Sequence, residues 1–150
     1  MEYSAQAKQR LAQARKQGLD DVRVIERDLG KISDLESGVV IDLFLSYRAV
    51  KGWQNMIDLV PKMSPPLAAR VMMQEQLALA LNRVGRGEEA EKILLDLTAK
   101  RGPSSETYGI LGRVYKDRWE AAANNGYTML AKGLLKKAID AYQGLRGRLA

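Results

Sequence analysis

The chain has 150 residues, 46% of them hydrophobic and 28% charged, which suits one self-sufficient core and is unlike a disordered segment. Histidine and cysteine are both absent, so disulfides, the usual zinc ligand sets and the Ser-His-Asp and Cys-His nucleophile systems are excluded. The net charge of +6 fits an acidic partner (nucleic acid, a lipid surface or protein) or simply a solubilising surface.

Residues 1–33 read as an N-terminal helical segment. Lys8, Arg10, Arg15 and Lys16 make its first helix basic, while its apolar content is Leu11 and alanines, so a solvated or partner-facing helix is expected. Ser33 followed by Glu36 has the form of a capping box ahead of Val39, Val40 and Ile41. Gly52 punctuates the chain next, and Pro65–Pro66 after Ser64 marks another helix start, since proline is tolerated in the first turn. Glu88 and Glu89 after Gly87 place negative charge where a helix N-terminus favours it. Gly102–Pro103 and Gly126 mark the remaining breaks, with helix-length pieces between them. No apolar run approaches the ~20 residues of a membrane span, and the first residues lack the apolar core of a secretory signal. A cytoplasmic setting without membrane contact is therefore expected.

A repeat of about 34 residues, the tetratricopeptide (TPR) period, organises the rest. Tyr108, Leu111, Gly112 and Tyr115 form the pattern Y-x-x-L-G-x-x-Y, close to the first-helix signature of a TPR unit. One step back lie Gln74, Leu77, Ala78 and Leu81, followed by Ala90, Leu94 and Leu97 on a second helix. Another step back lie Val40, Leu43, Phe44 and Tyr47, then Met56, Val60 and Met63. The small residue at the eighth position lets a second helix approach, and one hairpin cannot bury its apolar face alone, so neighbours stack. The pattern predicts an all-α, TPR-like helical-hairpin solenoid of about seven to eight helices, forming one domain over 1–150. Its units span 37–70, 71–104 and 105–150. In the last, Ala138 and Tyr142 fit the second helix only after an insertion around 118–131, which puts Trp119–Gly126 in an enlarged connection. Trp53 and Trp119 read as packing residues.

The stretch Ile110–Asp117 (Ile-Leu-Gly-Arg-Val-Tyr-Lys-Asp) resembles the TRAF-binding, central regulatory region of the apoptosis signal-regulating kinases, which are MAP kinase kinase kinases. Leu43–Arg48 and Ala80–Arg83 are similar to that family as well, and the resemblance covers roughly residues 34–142. The family includes bacterial members without a kinase. The resemblance implies a regulatory, TPR-like scaffold that makes protein–protein contacts. No kinase motif is present, so no kinase activity is implied. In the family the pattern continues past Tyr142 into further helices, which leaves two expectations open: a fragment of a longer array, or self-association through the C-terminal end.

In a TPR stack, first-helix positions 2, 5, 9, 12 and 13 line the concave surface. Arg48, Asn82, Arg83, Arg113 and Lys116 fall on such positions and form a basic rail suited to an acidic protein segment, because guanidinium groups pair with carboxylates. The competing explanation of these residues is local: Arg113 and Asp117 form an i,i+4 pair, and Arg48 and Arg83 suit helix C-termini. Ile41 and Leu45 replace the lysine and asparagine of a chaperone-tail carboxylate clamp. No phosphate-binding glycine loop, cofactor site or catalytic residue is expected. RNA binding by the basic surface is the alternative function; the arginines lack interleaved exposed aromatics for base stacking.

Overall fold

The computed structural model describes residues 2–102 and 104–149, with side chains described for 4–102 and 104–144. Among the described residues every regular element is helical, giving the all-α, TPR-like class expected. Nine α-helices occur there: α1 (Glu2–Gln17), α2 (Leu19–Leu29), α3 (Ser37–Ala49), α4 (Trp53–Leu59), α5 (Pro65–Ala68), α6 (Val71–Arg83), α7 (Gly87–Arg101), α8 (Ser105–Asn124) and α9 (Thr128–Leu149). The count exceeds the expected seven to eight because Pro65 and Pro66 open a separate single turn. The chain divides into two compact units, Met1–Met73 and Gln74–Ala150.

Helices α3, α6 and α8 begin at Ser37, Val71 and Ser105, the starts that the repeat period marks. Each ends in the same turn. The amide of Gly52 bonds Tyr47 O at 2.8 Å, Arg86 bonds Leu81 O at 2.8 Å, and Tyr127 bonds Ala122 O at 2.9 Å. This six-to-one bond needs a left-handed residue just before its donor, supplied by Lys51 (φ 61), Gly85 (φ 85) and Gly126 (φ 77). The turns also locate the insertion. The donors Gly52 and Arg86 lie one repeat period apart, and Tyr127 lies seven positions beyond the next step. Half of the extra residues therefore lengthen α8 and half lengthen α9. Each half is nearly two helical turns, about 10 Å of length, so the buried faces keep their phase. Trp119–Asn124 is helix, and the expected enlarged connection shrinks to the turn around Gly126.

In the first unit, Ala7, Leu11 and Ala14 form the buried stripe of α1, and Val22, Ile25 and Leu29 that of α2. Both pack on α3, which is buried on most of its circumference through Val39, Val40, Leu43, Phe44, Ser46 and Tyr47. Two of the basic residues of α1 tie it to its neighbours: Arg15 bonds Asp42 at 3.1 Å and Ser46 at 2.8 Å on α3, and Arg10 pairs with Asp28 of α2 at 2.8 Å. The helix expected to face solvent or a partner is thus partly a core helix. The capping box is corrected too. Ser33 sits in a 3₁₀ turn (Ile32–Asp34), Glu36 is the residue before α3, and its carboxylate accepts from Ser4 Oγ at 2.8 Å.

In the second unit, α7 packs on α8 and α8 on α9. Gly112 is the close-approach point of the last hairpin: a Cβ there would stand 2.8–3.0 Å from the Tyr142 ring. Ser104 caps α8, its Oγ accepting from Thr107 N at 3.1 Å and donating to Thr107 Oγ1 at 2.9 Å. Thr107 Oγ1 in turn donates to the buried Glu75 at 2.9 Å, which ties the start of α8 to α6. Ser104→Ala should cost about 1 kcal/mol, read as a lower thermal midpoint of the Trp119 fluorescence transition; an unchanged midpoint would show that the cap carries no stability.

Candidate protein-binding surface

The predicted rail residues fall in different surroundings. Arg48 is exposed in the last turn of α3, within the first unit. The other four belong to the second unit. Asn82 is buried (8% exposed), and its side-chain amide donates to Asp117 Oδ2 at 2.7 Å. It is held between α6 and α8 and does not present itself at the surface. The other oxygen of Asp117 receives Arg113 Nε at 3.3 Å, the expected i,i+4 pair. Arg113 and Lys116 are exposed one turn apart on α8, and Arg83 is exposed at the end of α6. One carboxylate thus joins the buried seam to the exposed cations: Asp117 holds Asn82 below and orients Arg113 above. A carboxylate approaching from outside competes with Asp117 for Arg113 and meets Lys116 beside it.

A second cluster was not foreseen from the sequence. Glu91 of α7 accepts from Tyr115 Oη and from Arg118 at 2.8 Å, and Lys137 of α9 approaches it at 3.6 Å. Lys137 also lies 5.6 Å from the centroid of the Tyr115 ring. Burial acts to raise the Glu91 pKa, but the hydrogen bonds from Tyr115 and Arg118 and the charges of Lys137 and Arg118 outweigh it, leaving the carboxyl below the usual range. Tyr115 is pushed above the ordinary phenol range, by burial first and then by its bond to Glu91. The first unit repeats the theme at the same position of its first helix. Tyr47 donates to Glu26, whose second oxygen takes Lys62 at 2.9 Å, and burial followed by the Glu26 bond raises this phenol too. Both tyrosines therefore act as neutral donors that lock a glutamate into a seam between helices.

The apolar surface of the last hairpin was not foreseen either. Leu135, Ile139 and Tyr142 of α9 are 37%, 47% and 37% exposed, and the tip carries exposed Tyr127, Met129 and Leu130. The spacing of the three α9 residues, four and then three apart, was the available signal. Trp53 and Trp119 are half-buried, as packing residues would be. The described residues hold no group of three or more potential metal ligands, and none of their helices is long and apolar enough to cross a membrane.

Helical hairpins in a regular repeat register, with small residues at the close approaches and charged side chains on their first helices, define a tetratricopeptide-like repeat protein. The chain belongs to the Tetratricopeptide Repeats-Sensor (TPR-S) family, whose profile matches residues 52–145. Among curated relatives, it is 34% identical over 97 residues to mitogen-activated protein kinase kinase kinase 15 of Mus musculus, covering 59% of this chain and 7% of that protein. Identity to mitogen-activated protein kinase kinase kinase 5 of Homo sapiens is 30% over 101 residues (62% of this chain, 7% of that protein). To mitogen-activated protein kinase kinase kinase 6 of Homo sapiens it is 29% over 126 residues (77% and 10%). The chain spans a tenth or less of the length of these relatives, and the shared stretch belongs to their regulatory region rather than to a kinase domain. No solved structure matches the chain. A TPR-type repeat related to kinase regulatory regions is a protein-interaction module.

Proposed function

We propose that this protein is a non-catalytic regulatory scaffold of the cytoplasm that binds an acidic segment of a partner protein through exposed basic side chains of its first helices, forming a single domain with three hairpin units. Arg83, Arg113 and Lys116 of the second unit are the binding residues, and Asn82 supports them through Asp117; Arg48 of the first unit is a separate candidate. The observation that carries the reading is the Asn82–Asp117–Arg113 network, which pre-orients a guanidinium at the surface beside an exposed lysine. Its relatives are signalling kinases that share only this kind of regulatory stretch, which fits a scaffold without chemistry of its own.

The test is fluorescence anisotropy with a labelled peptide rich in aspartate and glutamate, run beside a single-stranded RNA of equal length. The peptide should bind, and Arg83→Glu with Arg113→Glu should weaken it at least about tenfold with helicity unchanged, as expected when charge pairs are reversed. Unchanged peptide affinity would sink the rail. Tighter RNA binding with a steep salt dependence would instead select the RNA alternative, which the +6 charge favours.

A further inference from the structure

The sequence contains one Asn–Gly step, Asn125–Gly126. It falls in the turn between α8 and α9, where every residue of Ala123–Leu130 is exposed. The equivalent turns carry Val50–Lys51 and Val84–Gly85 at the same places, so neither sets an asparagine before a glycine. An asparagine side-chain amide is most open to attack by the next backbone nitrogen when glycine follows, because no side chain obstructs the approach. The surroundings add no obstruction either: a Cβ on Gly126 would meet nothing within 4 Å.

The closed turn holds the reacting atoms apart. Asn125 has φ −94 and ψ 6, and ψ must rotate before the Gly126 nitrogen swings toward Cγ of the side chain. Three hydrogen bonds oppose this. Gly126 N donates to Ala123 O at 3.1 Å, Tyr127 N to Ala122 O at 2.9 Å, and Asn125 Nδ2 to Ala121 O at 2.8 Å. All of them lie in the exposed tip of one hairpin. Opening a tip costs far less than global unfolding, so the reactive geometry is reached from the folded chain.

We infer that Asn125 is a site of spontaneous deamidation, that opening of the α8/α9 turn sets the rate, and that the product loosens the turn. The Gly126 nitrogen gives its proton to hydroxide and bonds to Cγ of Asn125. The Cγ–Nδ2 bond then breaks, and ammonia leaves with a proton taken from water. The five-membered succinimide so formed adds one water. Cleavage of its Cγ–N bond gives aspartate, and cleavage at the backbone carbonyl gives isoaspartate, whose main chain runs through the side-chain methylene. The sum is one water consumed and one ammonia released, with no oxidation or reduction. Both products place a carboxylate at the C-terminus of α8, where the helix dipole disfavours negative charge, and both lose the donor to Ala121 O. Isoaspartate also lengthens the backbone inside the ring that Tyr127 N closes on Ala122 O.

The full chain, incubated at mildly alkaline pH, is digested with trypsin, and the fragment Trp119–Lys132 is followed by mass spectrometry. It should gain about 1 Da at Asn125 and separate into two chromatographic forms, the two linkages of the product. Asn125→Gln should remove the gain, and Asn124→Ala should keep it. In denaturing urea the reaction should run at least about tenfold faster, since the turn no longer restrains it. Asn125→Asp reproduces one product at an exposed position, so it should keep its circular dichroism. Ala131 N bonds Tyr127 O at 2.9 Å just beyond the turn. In Asn125→Asp the amides of Tyr127 and Ala131 should exchange with solvent deuterium at least about threefold faster than in the wild type. No mass gain in the folded chain while the free fragment gains it, or a gain confined to Asn124, would overturn the site. Equal rates with and without urea would overturn the control by the turn, and unchanged exchange in Asn125→Asp would overturn the loosening.

Discussion

Phe44→Ala should destabilise the first unit by about 3–5 kcal/mol, the usual cost of emptying a phenylalanine site in a close-packed core. The repeat pattern by itself points the other way. Position 8 is Ala78 in the second repeat and Gly112 in the third, so alanine at 44 would restore the small residue of the pattern. The structure shows why that restoration is harmful. Phe44 is fully buried in α3, and the hairpin around it is built for bulk: α4 has only seven residues, and the fully buried Met56 stands where Ala90 and Ala138 stand elsewhere. Helices α1 and α2 pack on α3 as well, so no neighbour is free to collapse into the vacated volume. Trp53 belongs to the first unit and Trp119 to the second, so urea unfolding of variants that keep one tryptophan separates the two transitions. The Trp53 midpoint should fall steeply with the Trp119 transition nearly unmoved, and a neutral result would mean that the pattern, not the packing, governs this site.

Phe44 also marks where sequence reasoning was sound and where it stopped. The starts of α3, α6 and α8 were legible because the side chains at the signature positions of each first helix share a face, and that face must be apolar whatever its partner. The supporting interactions were not legible because they join residues far apart in the chain. Ser33 and Glu36 have the spacing of a capping box, but Glu36 is engaged by Ser4, far earlier in the chain. Asn82 occupies a position that faces outward in a generic repeat; its burial depends on Asp117, which arrives a full repeat later. The extra length of the last unit was visible in the sequence. Its equal division between α8 and α9 follows from the helical period and from the Ala121–Ala123 run, whose propensity favours helix over loop. The apolar stripe of α9 was legible as the four-and-three spacing of Leu135, Ile139 and Tyr142, but its exposure depends on which face of α9 meets α8, which is a question about packing rather than pattern.

The Glu91 cluster should be the second most sensitive point, and its dependence on pH has a definite sign. Glu91→Ala would leave Tyr115 Oη and the Arg118 guanidinium without their acceptor between α7 and α8, at a cost of about 2–3 kcal/mol for a partly buried charged acceptor. Glu91→Gln keeps the shape and one acceptor oxygen but removes the charge, so it isolates the electrostatic part. In the wild type the folded carboxyl titrates below its ordinary value of 4.5, because burial is outweighed by the Tyr115 and Arg118 bonds and by Lys137. A depressed folded pKa means that the ionised carboxylate stabilises the fold above the unfolded pKa and loses that contribution as pH falls through the folded one. The stability gap between wild type and Glu91→Gln should therefore be constant near neutrality, begin to close below about pH 4.5, and keep shrinking as the solution becomes more acidic. Urea midpoints from Trp119 fluorescence, measured for both proteins across that range, give the gap directly. A gap that stays flat into acid, or widens, would show that Glu91 holds the seam between α7 and α8 by shape and hydrogen bonding, without its charge.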